Sequence, residues 1–117
     1  MFEPHLLDDD QYLKIVGPLN AKSASKPSDL RRFPRFAVAF VVKGQGLDEA
    51  WLPVGVPFKG ATMNISRGGI LFNTDATIGA PFMAVELLDG HDVLADRTIR
   101  VFPRGKGMIA GQFVKRA

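Results

Sequence analysis

The stretch VLADRTIRVF, residues 93–102, alternates apolar and polar side chains over ten positions. That two-residue period is the mark of a strand with one buried face. It is bounded by DGHD at 89–92 and PRGKG at 103–107, both built from turn-forming residues. Beyond those turns lie FMAVELL at 82–88 and MIAGQFVK at 108–115, two further β-rich runs. Turns this short can join only antiparallel neighbours. Working outward, RFAVAFVVK at 35–43 reads as a strand ending in a turn at GQG, 44–46. WLPVGVPFKG at 51–60 is broken by prolines into a loop or ragged edge strand. FKGATMNIS at 58–66 runs into a Gly-Gly turn, and GILFNT at 69–74 follows. Six or seven short strands with glycine-rich turns and no long helix predict an all-β fold, an antiparallel barrel or sandwich.

The segment before Leu30 has a different character. HLLDDDQYLKIV at 5–16 fits a short helix with Leu6, Leu13 and Val16 roughly on one face, or a strand through YLKIV. GPLNAKSASKPSD at 17–29 reads as a linker. The expected division is an N-terminal extension and linker over 1–29 and one domain over 30–117.

Composition narrows the function. A chain of 117 residues with 46% hydrophobic and 23% charged residues suits a single folded domain. It has no cysteine, which excludes disulfides, thiolate metal sites and cysteine nucleophiles and fits a reducing compartment. The longest apolar run, FAVAFVV at 36–42, falls far short of the roughly 18 residues of a membrane span. The amino terminus, MFEPHLLDDD, is acidic where a secretory signal is basic, so the expected location is cytoplasmic. His5 and His91 are the only histidines, and His91 sits in a turn that needs no metal. No serine belongs to a recognisable triad motif, and an enzyme is not expected. The formal charge of +3 and the pI near 9.5 favour phosphate-bearing ligands. The long basic stripe of a general nucleic-acid binder is missing.

Two motifs carry the chemistry. RRFPRF, 31–36, holds three arginines around Pro34, which has no amide hydrogen and drives Phe33 toward extended geometry. An extended arm of guanidiniums follows, not a basic helix. NISRGGILF, 64–72, sets Asn64 and Ser66 on one side of a strand with Ile65 toward the core. Gly68 and Gly69 then end the strand, with positive φ and room for a ligand to approach the backbone as the expected reasons for glycine. Alone, N-x-S-x-x-G also fits a polar strand end running into a hairpin turn.

Together the two motifs resemble the PilZ domain, the bacterial receptor module for cyclic diguanylate. Its signature is R-x-x-x-R, an interval of a few tens of residues, then [D/N]-x-S-x-x-G. Both halves stand in this chain, as RRFPR and NISRGG, and the interval from Arg35 to Asn64 is compatible with that signature. The resemblance covers about residues 30–115 and implies a PilZ-type barrel of six or seven antiparallel strands. It implies ligand contacts at Arg31, Arg35, Asn64, Ser66 and Gly69, with Arg32 and Gly68 beside them. Leu30, apolar where relatives that bind a stacked ligand dimer carry a basic residue, tilts the expectation toward one ligand molecule. The family's C-terminal helix has no counterpart before Ala117.

The chemistry suits the ligand. Arginine binds phosphate in charge-assisted pairs, reads the O6/N7 edge of guanine bidentately and stacks on purines. Phe102 with Arg104 could add a stacking ring and a phosphate contact, though an ordinary core or edge phenylalanine fits equally well. The expectation is a receptor or adaptor with no cofactor beyond cyclic diguanylate. It would act on a protein partner in motility, exopolysaccharide synthesis or a related behaviour. The alternatives are a PilZ-like barrel acting through protein contacts with weak or no nucleotide binding, and a small nucleic-acid-binding barrel.

Overall fold

The computed structural model describes residues 1–17 and 34–117. The elements run β1 (Phe2–Pro4), α1 (Asp9–Val16), β2 (Val41–Leu47), β3 (Phe58–Ile65), β4 (Gly69–Asn73), β5 (Phe82–Asp89), β6 (Asp92–Gly105) and β7 (Met108–Arg116). All the pairings are antiparallel. They follow the order β1-β7-β4-β3-β2-β5-β6, and β6 also pairs with β7. The expected all-β, antiparallel class is what the chain adopts.

The two-residue period explains which face is buried. Met83, Val85 and Leu87 of β5 point inward, as do Ala95 and Ile99 of β6 and Ile109 and Phe113 of β7. They meet Val42, Phe58, Ile65, Ile70 and Phe72 from the other strands in one apolar cluster. A second, smaller cluster of Leu47, Phe82 and Val114 is covered by Phe2 and Trp51.

Two expectations about strand limits need correction. GQG is no turn: Gly44 and Gly46 lie inside β2. A Cβ on Gly44 would come within 2.2 Å of the Phe58 ring, so glycine here answers a packing demand. Residues 37–40, expected as strand, instead run beside β3, with Thr62 holding them. The Thr62 hydroxyl donates to the Val38 carbonyl at 2.6 Å and accepts from the Phe40 N–H at 2.7 Å.

The amino terminus is not an appendage. β1 pairs with β7, and Leu7, Tyr12, Ile15 and Val16 are buried in the main cluster. The helix starts where Asp8 accepts from the Gln11 N–H at 2.8 Å while Gln11 reaches back to the Asp8 N–H, a capping box. The buried face is Tyr12, Ile15 and Val16, whereas Leu6 and Leu13 are exposed. Residues 1–17 therefore share the sheet and core of the domain that was expected to begin at residue 30. The expected linker over 18–29 lies outside the described residues.

Candidate functional site

A groove of about 910 Å³ opens on the outer face of β3, β4, β7 and β6. Its floor is a transverse row in register: Asn64 opposite Leu71, Leu71 opposite Ala110, and Ala110 opposite Phe102. Three inter-strand steps of about 4.8 Å make the row about 14 Å long. Ala110, the smallest side chain in the row, leaves the middle of the floor low.

Asn64 reaches this face because of a β-bulge. The register shifts between Thr62 and Asn64, so Met63 is an extra residue. In an unbroken strand Asn64 would share the inward face of Thr62; the bulge turns it outward. Ile65 is fully buried beside it, as the sequence pattern requires.

Arg35 comes to the same groove through its neighbour. Phe36 donates its N–H to the Ile65 carbonyl at 2.8 Å and accepts the Ile65 N–H at 2.9 Å. The Phe36 ring packs against Tyr12, with ring centroids 6.3 Å apart. Successive side chains on extended backbone point to opposite faces, so Arg35 is exposed and lines the groove beside Asn64 and Ser66.

The turn between β3 and β4 is built from its own polar groups. The Ser66 N–H donates to the Gly69 carbonyl at 2.9 Å, and the Gly68 N–H donates to the Ser66 hydroxyl at 3.3 Å. Ser66, Gly68 and Gly69 all line the groove. The expected positive φ is overturned, because neither Gly68 nor Gly69 has it. A Cβ on Gly69 would sit 2.5 Å from the Gly111 carbonyl oxygen. Close approach of β4 to β7 demands glycine there. Arg67 points the other way. Its guanidinium lies 4.4 Å from the centroid of the Tyr12 ring, and its Nη1 is 2.6 Å from the Asp9 carboxylate.

At the far end Phe102 is exposed and Arg104 stands beside it on the groove wall. The core reading of Phe102 is thereby excluded. The Arg100 guanidinium lies 5.3 Å from the Phe102 ring centroid. Among the described lining residues the charged groups are Arg35 and Arg104, with no carboxylate, so the groove favours an anion. Sequence reasoning missed Leu71, Ala110, Met108 and Gln112 in the lining. The signal was present in the PRGKG turn, since a hairpin there sets Phe102 beside Ala110. Leu30, Arg31 and Arg32 lie outside the described residues.

Burial pushes the Tyr12 phenol up from its ordinary value, against the opposing pull of Arg67. No described group of three acidic or histidine side chains is placed to hold a metal ion. No helix among the described residues is long and apolar enough to cross a membrane. The chain matches no known family model and no curated protein.

Proposed function

We propose that this protein is a receptor for cyclic diguanylate, built on a PilZ-type barrel and acting without catalysis on a protein partner. The strand pairings run from β7 through β4, β3, β2 and β5 to β6 and back to β7, which supports a barrel. One observation carries the ligand: Arg35, Asn64, Ser66, Gly69, Phe102 and Arg104, singled out in three separate stretches of sequence, line a single groove with no carboxylate among its described residues.

The groove offers each part of a cyclic purine dinucleotide a partner. Arginine at either end supplies charge-assisted contacts for phosphate or the guanine O6/N7 edge. Asn64 and Ser66 add an amide and a hydroxyl at the strand end. The Leu71–Ala110 floor and the Phe102 ring give flat apolar surface against which a base can lie. Its volume falls within the usual range for ligand sites, about 300–1,000 Å³. By the resemblance, Arg31 and Arg32, which lie outside the described residues, would add further guanidinium contacts.

Titration calorimetry tests this reading. Cyclic diguanylate should bind more tightly than cyclic diadenylate, GMP or GTP at fixed salt. Adenine carries an amine donor where guanine carries the O6 acceptor, so arginine meets it badly. Equal affinity for the two cyclic dinucleotides would refute guanine recognition. Steep loss of affinity with salt for any nucleic acid would favour a backbone tracker instead.

A further inference from the structure

The position between Ser66 and Gly68 contributes nothing to the groove, yet it is the most heavily engaged residue of the turn. Arg67 touches the amino-terminal segment in three ways. Its carbonyl accepts the Leu7 N–H at 2.9 Å, its guanidinium covers the Tyr12 ring, and its Nη1 meets Asp9. The same segment reaches the groove from the other side, because Pro4 and Leu6 line it. The turn is thus held between the ligand site and α1, and α1 precedes in sequence the arm that carries Arg31, Arg32 and Arg35.

We infer that Arg67 is a positioning residue that couples occupancy of the groove to docking of α1, an inference that rests on the cyclic diguanylate reading above. The physical link is the turn itself. Ser66 and Gly68 face the ligand from a conformation that Arg67 shares with docked α1. A ligand that binds this conformation better than any other must stabilise the helix against the core. By reciprocity, undocking the helix must weaken the ligand by the same factor. The Asp9 end of the latch is largely exposed and adds little, as surface ion pairs do. The stacked Tyr12, fully buried, carries the coupling. Arg67→Ala should therefore lower affinity by about three- to tenfold, the size of a partly desolvated cation–π contact. Arg67→Lys keeps a cation but loses the flat face, and should restore only part of that loss.

The experiment is amide hydrogen exchange across 9–16, with and without cyclic diguanylate, on the wild-type chain and on Arg67→Ala, with calorimetry on each. Protection of α1 rising with ligand in the wild type and unchanged in the variant supports the coupling. Cyclic diguanylate binding to the wild type with no change in α1 overturns it and leaves the receptor reading intact. A wild type that does not bind cyclic diguanylate at all overturns the receptor reading, and the coupling with it. Should Arg67→Ala fold poorly, Arg67→Lys takes its place, and protection of α1 rising with ligand as much as in the wild type overturns the role of Arg67.

Discussion

Phe36 and Ile65 exchange both of their backbone hydrogen bonds, at 2.8 and 2.9 Å, and this one bridge brings together two motifs that lie far apart in sequence. With the Phe36 ring turned inward against Tyr12, Arg35 has only the outer face to occupy. The bridge therefore converts an arginine on an irregular segment into a wall of the groove.

The anchor for the rest of that segment is Thr62. Replacing it by Val keeps the shape and removes a hydroxyl that serves the Val38 carbonyl and the Phe40 N–H. Leaving such part-buried backbone groups unpaired costs about 1–3 kcal/mol each. Thr62→Val should lower the urea midpoint correspondingly and weaken ligand binding through Arg35. A midpoint equal to that of the wild type would mean that residues 37–40 are held by something else.

Gly69 separates two explanations that its motif confounds. A side chain there strikes the Gly111 carbonyl oxygen before it meets any ligand. Gly69→Ala should therefore lower the melting temperature of the ligand-free protein, because β4 must move away from β7. Asn64→Ala, at a half-buried position on the same groove, should stay within about 0.5 kcal/mol of wild-type stability and lose ligand affinity instead. A ligand-free Gly69→Ala protein with the wild-type melting temperature would leave ligand clearance as the reason for glycine.

The β5–β6–β7 meander and the β3–β4 hairpin were legible because alternation and turn chemistry agree there. The pairing of Asn64 with Ser66 on one side was legible too, though for an incomplete reason. Alternation alone ignores the bulge at Met63, and bulges leave no reliable mark in a sequence. GQG misled because close packing against Phe58 and a turn both call for glycine. The amino terminus misled because the linker-like composition of 17–29 suggested a boundary, while the burial of Leu7, Tyr12, Ile15 and Val16 against distant strands leaves no local mark. Arg67 could not be read at all. Its partner Tyr12 belongs to a distant part of the chain, and nothing local links them.

His5 gives the fold a pH dependence of known sign. Burial lowers its pKa below 6.5, helped by the positive charges of Arg97 and Lys115 and opposed by Asp96. The unfolded chain thus binds the proton first as pH falls. Stability is fully present above about pH 6.5 and is lost as pH drops through the lowered folded value. Urea midpoints from pH 8 to pH 5 should fall more for the wild type than for His5→Asn. Parallel curves would assign the acid sensitivity to other groups.

The two ends of the groove offer a last test, because they are far enough apart to act independently. Arg35 and Phe102 are both exposed, so replacing either by Ala should leave the urea midpoint close to wild type. Arg35→Ala should cost about 2–4 kcal/mol of binding, a lost charge-assisted contact at the centre of recognition. Phe102→Ala should cost about 1–3 kcal/mol, the range for a base stacked on an aromatic ring. The row from Asn64 to Phe102 spans about 14 Å, beyond the roughly 7–10 Å within which substitutions couple directly. A single ligand reaching both ends should then give losses that add in the double variant, at a stoichiometry of one. That outcome also agrees with the expectation drawn from Leu30. If Phe102→Ala left affinity untouched while Arg35→Ala abolished it, the ligand would be confined to the Asn64 end, and the aromatic wall would serve some other contact.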